Sequence, residues 1–330
     1  MIKNLQVLRA LAALLVVFYH YHFYGLYVGA FGVDIFFVIS GFIISFVISK
    51  TSDDFFKKRL IRIIPMYYLV TVFLIVLWLI RPGFFHNVYV DATTIIKSLF
   101  FIPYTIGDGG PILSSGWTLN YEMYFYLIVS FFLFVTKDAR KTLFFSILFL
   151  LGVCVYKILS SSGNRYILFY GNSCVTEFIF GILLFFINEK IKPKPGKSSF
   201  IMMIAGILSF AVMVYCSYHH YTKFPLISFS IPAFIITGYF IFSDGSWKEE
   251  SRIYKWLYRM GNASYTMYLI HPFIIYIPPR LINVFIKIKN PVFLTAELIL
   301  SIGLVCVASD IVHRKIERPM LKKIGLWVKA

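Results

Sequence analysis

Charge is what this sequence has least of. Only 14% of its 330 residues are Asp, Glu, Lys or Arg, against about a quarter in a soluble domain. Acidic residues are the scarcer sign, 15 against 32 basic ones. Hydrophobic residues make up 59% of the chain, aromatic residues 19%, and the mean hydropathy is +0.78. No soluble core holds this much Phe, Leu and Ile, so the composition reads as an all-α polytopic membrane protein without a sizeable soluble domain. Cysteine is sparse too. Cys154, Cys174, Cys216 and Cys306 stand singly in apolar segments and form no CxxC pair, which reads as core thiols rather than a disulfide framework. There is no P-loop, no Rossmann glycine pattern and no GxSxG elbow. Metal-ligand spacing is also missing: His20 and His22 point about 200° apart on a helix, and His219 and His220 adjoin in an outer loop. No metal is expected. The basic start lacks a good small-residue cleavage site, so the first apolar run is expected to remain as a span.

About ten stretches read as spans, at roughly 5–24, 33–49, 63–80, 117–136, 142–159, 173–188, 199–216, 226–242, 265–284 and 292–310. The shorter ones need tilt or packing to make up their length. With the N-terminus inside, most basic residues fall on one side, including Lys3 and Arg9, the cluster from Lys57 to Arg62, Lys190 to Lys197, Lys248 to Arg259, and Arg314 to Lys329. That is the positive-inside pattern, with both termini cytoplasmic. The net charge of +17 then calls for lipid headgroups as partners, not nucleic acid. The reading is one membrane-embedded domain over 1–330, whose last residues, 311–330, form a short basic tail. The longest outer connection, 81–116, contains TTIIKSLFFIPYTI, too mixed for a span and suited to a re-entrant or surface helix. GDGGPILSSG after it reads as an ordered loop. NEKIKPKPGK is a basic linker, and no internal repeat is evident.

Ionisable groups inside spans are costly, so each poses a functional question. In LRALAALLVVFYH, Arg9 and His20 are about 1,100° of helical rotation and about 16 Å apart, on one face. Arg9 either snorkels to headgroups or belongs to a site, and His20 either marks the interface with its aromatic neighbours or acts chemically. GVDIFFVISGF opens the next span with Asp34. That carboxylate either interacts with the helix N-terminus or orients an imidazole and raises its basicity. Ser40 and Gly41 allow close helix approach. In KKRLIRIIPMYY, Lys57, Lys58, Arg59 and Arg62 gather at the cytoplasmic mouth, where anionic lipid or the phosphates of a soluble cofactor are the alternative partners. SSGWTLNYEMYFYL places Trp117, Asn120 and Glu122 at the outer end of the fourth span. Glu122 is either a structural carboxylate or part of a site, and Asn120 can donate to a ligand oxygen. MGNASYTMYLIHP places His271 in the ninth span, as a core histidine or a site residue, before Pro272, where a local kink would widen the space. HRKIERPM offers Glu317 as a structural partner for the basic groups nearby.

In that order, LRALAALLVVFYH, GVDIFFVISGFII, KKRLIRIIPMYY, WTLNYEMYFY and NASYTMYLIHP make the chain resemble the membrane-bound acyltransferase-3 family, especially its exopolysaccharide O-acetyltransferase branch. The resemblance covers nearly the whole sequence. It implies a bundle of ten or more membrane helices and an acetyl-CoA or related thioester donor. The family's arginine and histidine fall on Arg9 and His20, its basic motif on Arg59 and Arg62, and its tryptophan-led glutamate on Glu122. Many relatives have two acidic residues at that point; here Met123 follows Glu122, as in the exopolysaccharide branch. A C-terminal hydrolase-like domain fused in some relatives is expected to be absent.

The resemblance implies an O-acetyltransferase of the bacterial cytoplasmic membrane acting on a cell-surface polysaccharide or its lipid-linked precursor. His20, oriented by Asp34 or Glu122, would deprotonate the acceptor hydroxyl. Arg9, Lys58, Arg59, Arg62 and His271 would hold the donor, while Asn120 and Trp117 would contact the oxyanion or the acceptor. Two alternatives stay open: a transporter of a small anionic or acylated metabolite, and an acyltransferase using another donor such as succinyl-CoA.

Overall fold

The computed structural model describes residues 2–21, 28–82, 90–104, 110–160, 163–191, 197–221, 223–243, 247–285 and 291–327. His22, Lys192, Lys194 and Lys329 of the sequence reading lie outside the described residues. The regular structure among the described residues is helical throughout. The first half contains α1 (Asn4–Tyr21), α2 (Gly32–Lys50), α3 (Phe55–Ile80), α4 (Ala92–Leu99), α5 (Gly116–Thr136), α6 (Ala139–Leu159) and α7 (Arg165–Tyr170). The second contains α8 (Cys174–Lys190), α9 (Lys197–Tyr218), α10 (Ile231–Phe242), α11 (Arg252–Asn262), α12 (Ser264–Phe285), α13 (Pro291–Val312) and α14 (Arg318–Trp327). Two π-helical turns, Leu226–Ser230 and His313–Glu317, lead into α10 and α14.

Each stretch read as a span falls on a helix. Among the described residues, seven helices are long and apolar enough to cross a membrane: Asn4–Tyr21, Gly32–Lys50, Phe55–Ile80, Gly116–Thr136, Ala139–Leu159, Phe200–Tyr218 and the continuous Leu294–Gly325. Leu226–Phe242 is apolar but shorter. Large side chains such as Phe134 and Ile158 are each 80% exposed, a surface suited to lipid rather than water. Three sequence readings are refined. The third span starts at Phe55, so Lys57, Lys58, Arg59 and Arg62 ride on helix α3 instead of preceding it. Nothing in FFKKRLIRII breaks a helix, and Pro65 is carried inside it. Where it is described, the mixed outer segment yields the eight residues of α4, opened by a capping box between Asp91 and Thr94. In α12 the helix runs through Pro272.

The chain divides into two compact units, one of Met1–Ile39 with Leu183–Arg318 and one of Ser40–Ile182 with Pro319–Ala330. In the first unit α1 is central, packed by α10, α11, α12 and α13. Its small face makes this possible: Ala10, Ala13 and Val17 meet Met260, Met267, Ile275, Val305 and Cys306. At the start of α1 the backbone of Gln6 touches Gly261, where a Cβ would stand 1.8 Å from the Gln6 carbonyl oxygen. Asn4 donates to the carbonyl of Ser243 at 2.9 Å and accepts from the Tyr254 hydroxyl at 3.0 Å. Farther along, His20 meets His271. Gly261, at the end of α11 just before α12, meets Gln6 near the start of α1, and His271 of α12 meets His20 near its end, so α12 runs alongside α1 in the same direction.

In the second unit α5 packs on α3 and α6. Gly116 admits the Tyr67 hydroxyl, which a Cβ there would meet at 2.8 Å. Phe125 stacks on Phe178 at 4.5 Å, and α7 lays Phe169 and Tyr170 on Tyr121 and Tyr124 at 4.2 and 4.1 Å. The loop read as ordered is pinned where it is described: the amide of Ile112 donates to Ser98, whose hydroxyl shares a hydrogen bond with Tyr104.

Candidate active site

The first unit carries Arg9, His20, Asp34 and His271. His20 sits half-buried near the end of α1. Its Nδ1 is 2.9 Å from the carbonyl oxygen of Val16, one turn back. An acceptor there fixes the proton on Nδ1 and leaves the lone pair on Nε2. The ring of Tyr19 stands edge-on to it at 5.1 Å. On α12, His271 is fully buried, and its ring centroid is 4.8 Å from that of His20. Its Nδ1 faces the carbonyl of Met267 at 3.2 Å, and its Nε2 is buried with no hydrogen-bond partner among the described residues. Arg9 is half-buried and donates through Nη1 to Gln6 Oε1 at 3.3 Å. Asp34 lies in the first turn of α2, half-buried.

The family resemblance assigned His271 to donor binding; in the structure its ring stands beside that of His20. The reason is the parallel course of α1 and α12, which no local pattern reports across some 250 positions.

The second unit carries Lys58, Arg59, Arg62, Trp117, Asn120 and Glu122. Glu122 is half-buried on α5. The hydroxyl of Tyr126, one turn on, donates to Glu122 Oε1, as does the hydroxyl of Ser40 from α2 at 3.4 Å. Arg59 is electrostatically coupled to both Tyr126 and Glu122, and its guanidinium lies 5.8 Å from the Phe55 ring centroid. Arg62 and Lys58 are exposed, and Lys58 caps the carbonyl of Asp53 at 2.7 Å. The basic motif is therefore divided: Arg59 turns into the unit while Arg62 and Lys58 face outward. Asn120 is 4% exposed and reaches the carbonyl of Ile102 at 3.5 Å. Trp117 is 40% exposed, edge-on to Tyr121 at 6.0 Å.

Tyr126 and Ser40 were missed as partners of Glu122. The i,i+4 spacing of Glu122 and Tyr126 was the available signal. Ser40 was read only as a small residue. A second pair of charged clusters lies in the first unit. Asp310 receives both Arg259 and Arg314, and Glu317 receives Thr266 and His313, the latter at 2.7 Å. These tie α11 and α12 to the C-terminal end of the long helix, the structural role expected of Glu317.

A tautomer-fixed imidazole and a hydrogen-bonded carboxylate thus stand on apolar helices of this chain. The chain is 30% identical over 305 residues to the exopolysaccharide production protein ExoZ of Rhizobium meliloti, covering 90% of each chain. It is 28% identical to the putative peptidoglycan O-acetyltransferase YrhL of Bacillus subtilis and to the O-acetyltransferase OatA of Staphylococcus aureus. Those alignments cover 97% and 98% of this chain but only 55% and 57% of the relatives, so the chain spans about half of their length. No solved structure matches. Residues 2–310 match the acyltransferase domain model Acyl_transf_3. The chain belongs to that acyltransferase family.

Proposed function

We propose that this chain is an integral membrane O-acetyltransferase that moves an acetyl group from cytosolic acetyl-CoA to a hydroxyl of a cell-surface polysaccharide or its lipid-linked precursor. The proposal includes ten membrane spans, both termini in the cytoplasm, and residence in a bacterial cytoplasmic membrane.

One observation carries the chemical part. The Val16 carbonyl fixes the His20 proton on Nδ1, so Nε2 offers the lone pair that a general base requires. His20 takes the acceptor's proton as the hydroxyl oxygen bonds to the thioester carbonyl carbon. The tetrahedral intermediate then expels the thiolate, which recovers that proton to leave as CoA. Arg62 and Lys58, exposed on the first turns of α3, are suited to the donor's phosphates, and Arg9 to its carbonyl or pantetheine region. Asp34 and Glu122 are the carboxylates available for orienting groups in the reaction. Asn120 and Trp117 are assigned to the oxyanion and the acceptor.

Product chemistry tests this reading. Incubation of the purified protein with acetyl-CoA and a lipid-linked glycan fraction is expected to add one acetyl mass to the glycan, released by mild alkali as an ester. An alkali-stable product would make the enzyme an N-acyltransferase, and glycan uptake without thioester consumption would make it a transporter.

A further inference from the structure

His271 is fully buried, yet its Nε2 has no hydrogen-bond partner among the described residues. A buried polar nitrogen without a partner calls for an explanation. Its position supplies one. Both imidazoles donate through Nδ1 to the carbonyl four residues back, His20 to Val16 at 2.9 Å and His271 to Met267 at 3.2 Å. Both Nε2 atoms are then acceptors. In that state the two rings, 4.8 Å apart between centroids and tilted by 55°, have no hydrogen to share.

The other ionisable groups on the surrounding helices have their own engagements. Arg259 of α11 holds Asp310 of α13, Glu317 holds Thr266 and His313, and Tyr254 of α11 holds Asn4. Tyr21 of α1 is coupled to Glu297 of α13. The Tyr268 ring lies 6.0 Å from His271 and the Tyr19 ring 5.1 Å from His20. Arg9 lies three turns back along α1, and Asp34 opens α2.

We propose that His271 is a positioning residue for the base, its Nε2 serving as a second, shared acceptor for the N–H that His20 acquires when it removes the acceptor's proton. This rests on the acetyltransferase reading above. The proton passes from the acceptor oxygen to His20 Nε2 as the O–C bond forms, and it returns to the departing sulfur as the C–S bond breaks. The hydrogen bond from His20 to His271 exists only between those two events. It therefore stabilises the charged state without tightening the binding of either substrate, which is where an interaction raises turnover. The empty Nε2 of the resting state is the same acceptor before its donor arrives.

Two substitutions separate the two nitrogens of His271. His271→Asn keeps a donor near the Nδ1 position for the Met267 carbonyl and removes the Nε2 acceptor; His271→Gln places an amide oxygen near the Nε2 position. Both are compared with wild type in nanodiscs, by free CoA release from acetyl-CoA with a lipid-linked glycan fraction, at matched melting temperature. Removing an acceptor from a charged donor lowers kcat by about 10-fold to 100-fold, with the KM for acetyl-CoA within about twofold. The acid limb of the H271N profile moves to lower pH, because an imidazolium without its acceptor forms less readily, and H271Q recovers most of the turnover. Wild-type kcat in H271N overturns the proposal, as does a loss confined to the donor KM or an acid limb that moves to higher pH. Equal impairment of H271N and H271Q with unmoved acid limbs makes His271 structural only. If H271N does not fold, a folded H271Q with kcat as low as that of H20A overturns it. Wild-type protein that releases no CoA fails the acetyltransferase reading itself, and the His271 inference with it.

Discussion

The hydroxyl of Tyr126 is hydrogen-bonded to the carboxylate of Glu122, one turn back on α5. Tyr126 is 3% exposed, so the bond is made away from water, and Ser40 provides a second, longer donor to the same oxygen at 3.4 Å. Among the described residues, Tyr126→Phe leaves that oxygen with Ser40 as its hydrogen-bond donor. The cost of a lost donor to a half-buried carboxylate is about 1–3 kcal/mol, which appears as a lower melting temperature and as about tenfold slower CoA release. Ser40→Ala is expected to have the smaller effect, since its bond is the longer one.

The split basic motif gives two different outcomes on α3. Arg62 is exposed, so Arg62→Ala is expected to raise the KM for acetyl-CoA about tenfold with kcat and melting temperature near wild type. Because exposed charges are screened, that difference shrinks as salt is added. Arg59 is coupled to Glu122 and Tyr126, so Arg59→Ala lowers stability as well as activity. Isothermal titration of acetyl-CoA at two salt concentrations, beside a thermal melt, distinguishes the two residues.

The helix crossings depend on missing side chains. A Cβ at Gly261 would lie 1.8 Å from the Gln6 carbonyl oxygen, and one at Gly41 would lie 2.2 Å from that of Phe178. Both neighbours are backbone and cannot rotate away. Gly261→Ala and Gly41→Ala are each expected to destabilise by about 1–3 kcal/mol or more. Gly152, on the exposed face of α6 with nothing within 4 Å, is the control. There Ala leaves stability unchanged or raises it by up to about 1 kcal/mol. Thermal melts of the three variants in one lipid settle the comparison.

Much of this was legible in the chain itself. Long apolar runs dictate helices, and the helices found overlie the runs from which spans were read. Arg9, His20 and Glu122 stand out because charge is rare among such neighbours. Other features leave no local trace. The meeting of His20 with His271 depends on α12 running parallel to α1, a fact of tertiary packing. The start of α3 at Phe55 was hidden because KKR interrupts hydrophobicity without interrupting helix propensity. The engagement of Ser40 with Glu122 joins residues on different helices, whereas that of Tyr126 was available in the i,i+4 spacing.

Acid is expected to loosen the start of α4. Asp91 accepts from the amide of Thr94 at 2.6 Å, and the Thr94 amide and hydroxyl hold its carboxyl below the ordinary carboxylate value of 3.8. A carboxylate held low in the folded state contributes stability above its unfolded value, and that contribution is lost as pH falls through the folded one. Amide exchange at Thr94 should therefore quicken as pH drops below 3.8, after correction for intrinsic exchange. In Asp91→Ala it should be fast at every pH. A pH-independent protection factor in the wild type would remove Asp91 as the cause.

The most direct test of His20 as the base compares wild type with His20→Ala in nanodiscs, at matched melting temperature. Acetyl-CoA binding and free CoA release are followed with and without a lipid-linked glycan fraction. Glycan-stimulated release in wild type, lost in His20→Ala while acetyl-CoA still binds, is the expected result. Equal turnover in the two proteins would contradict it.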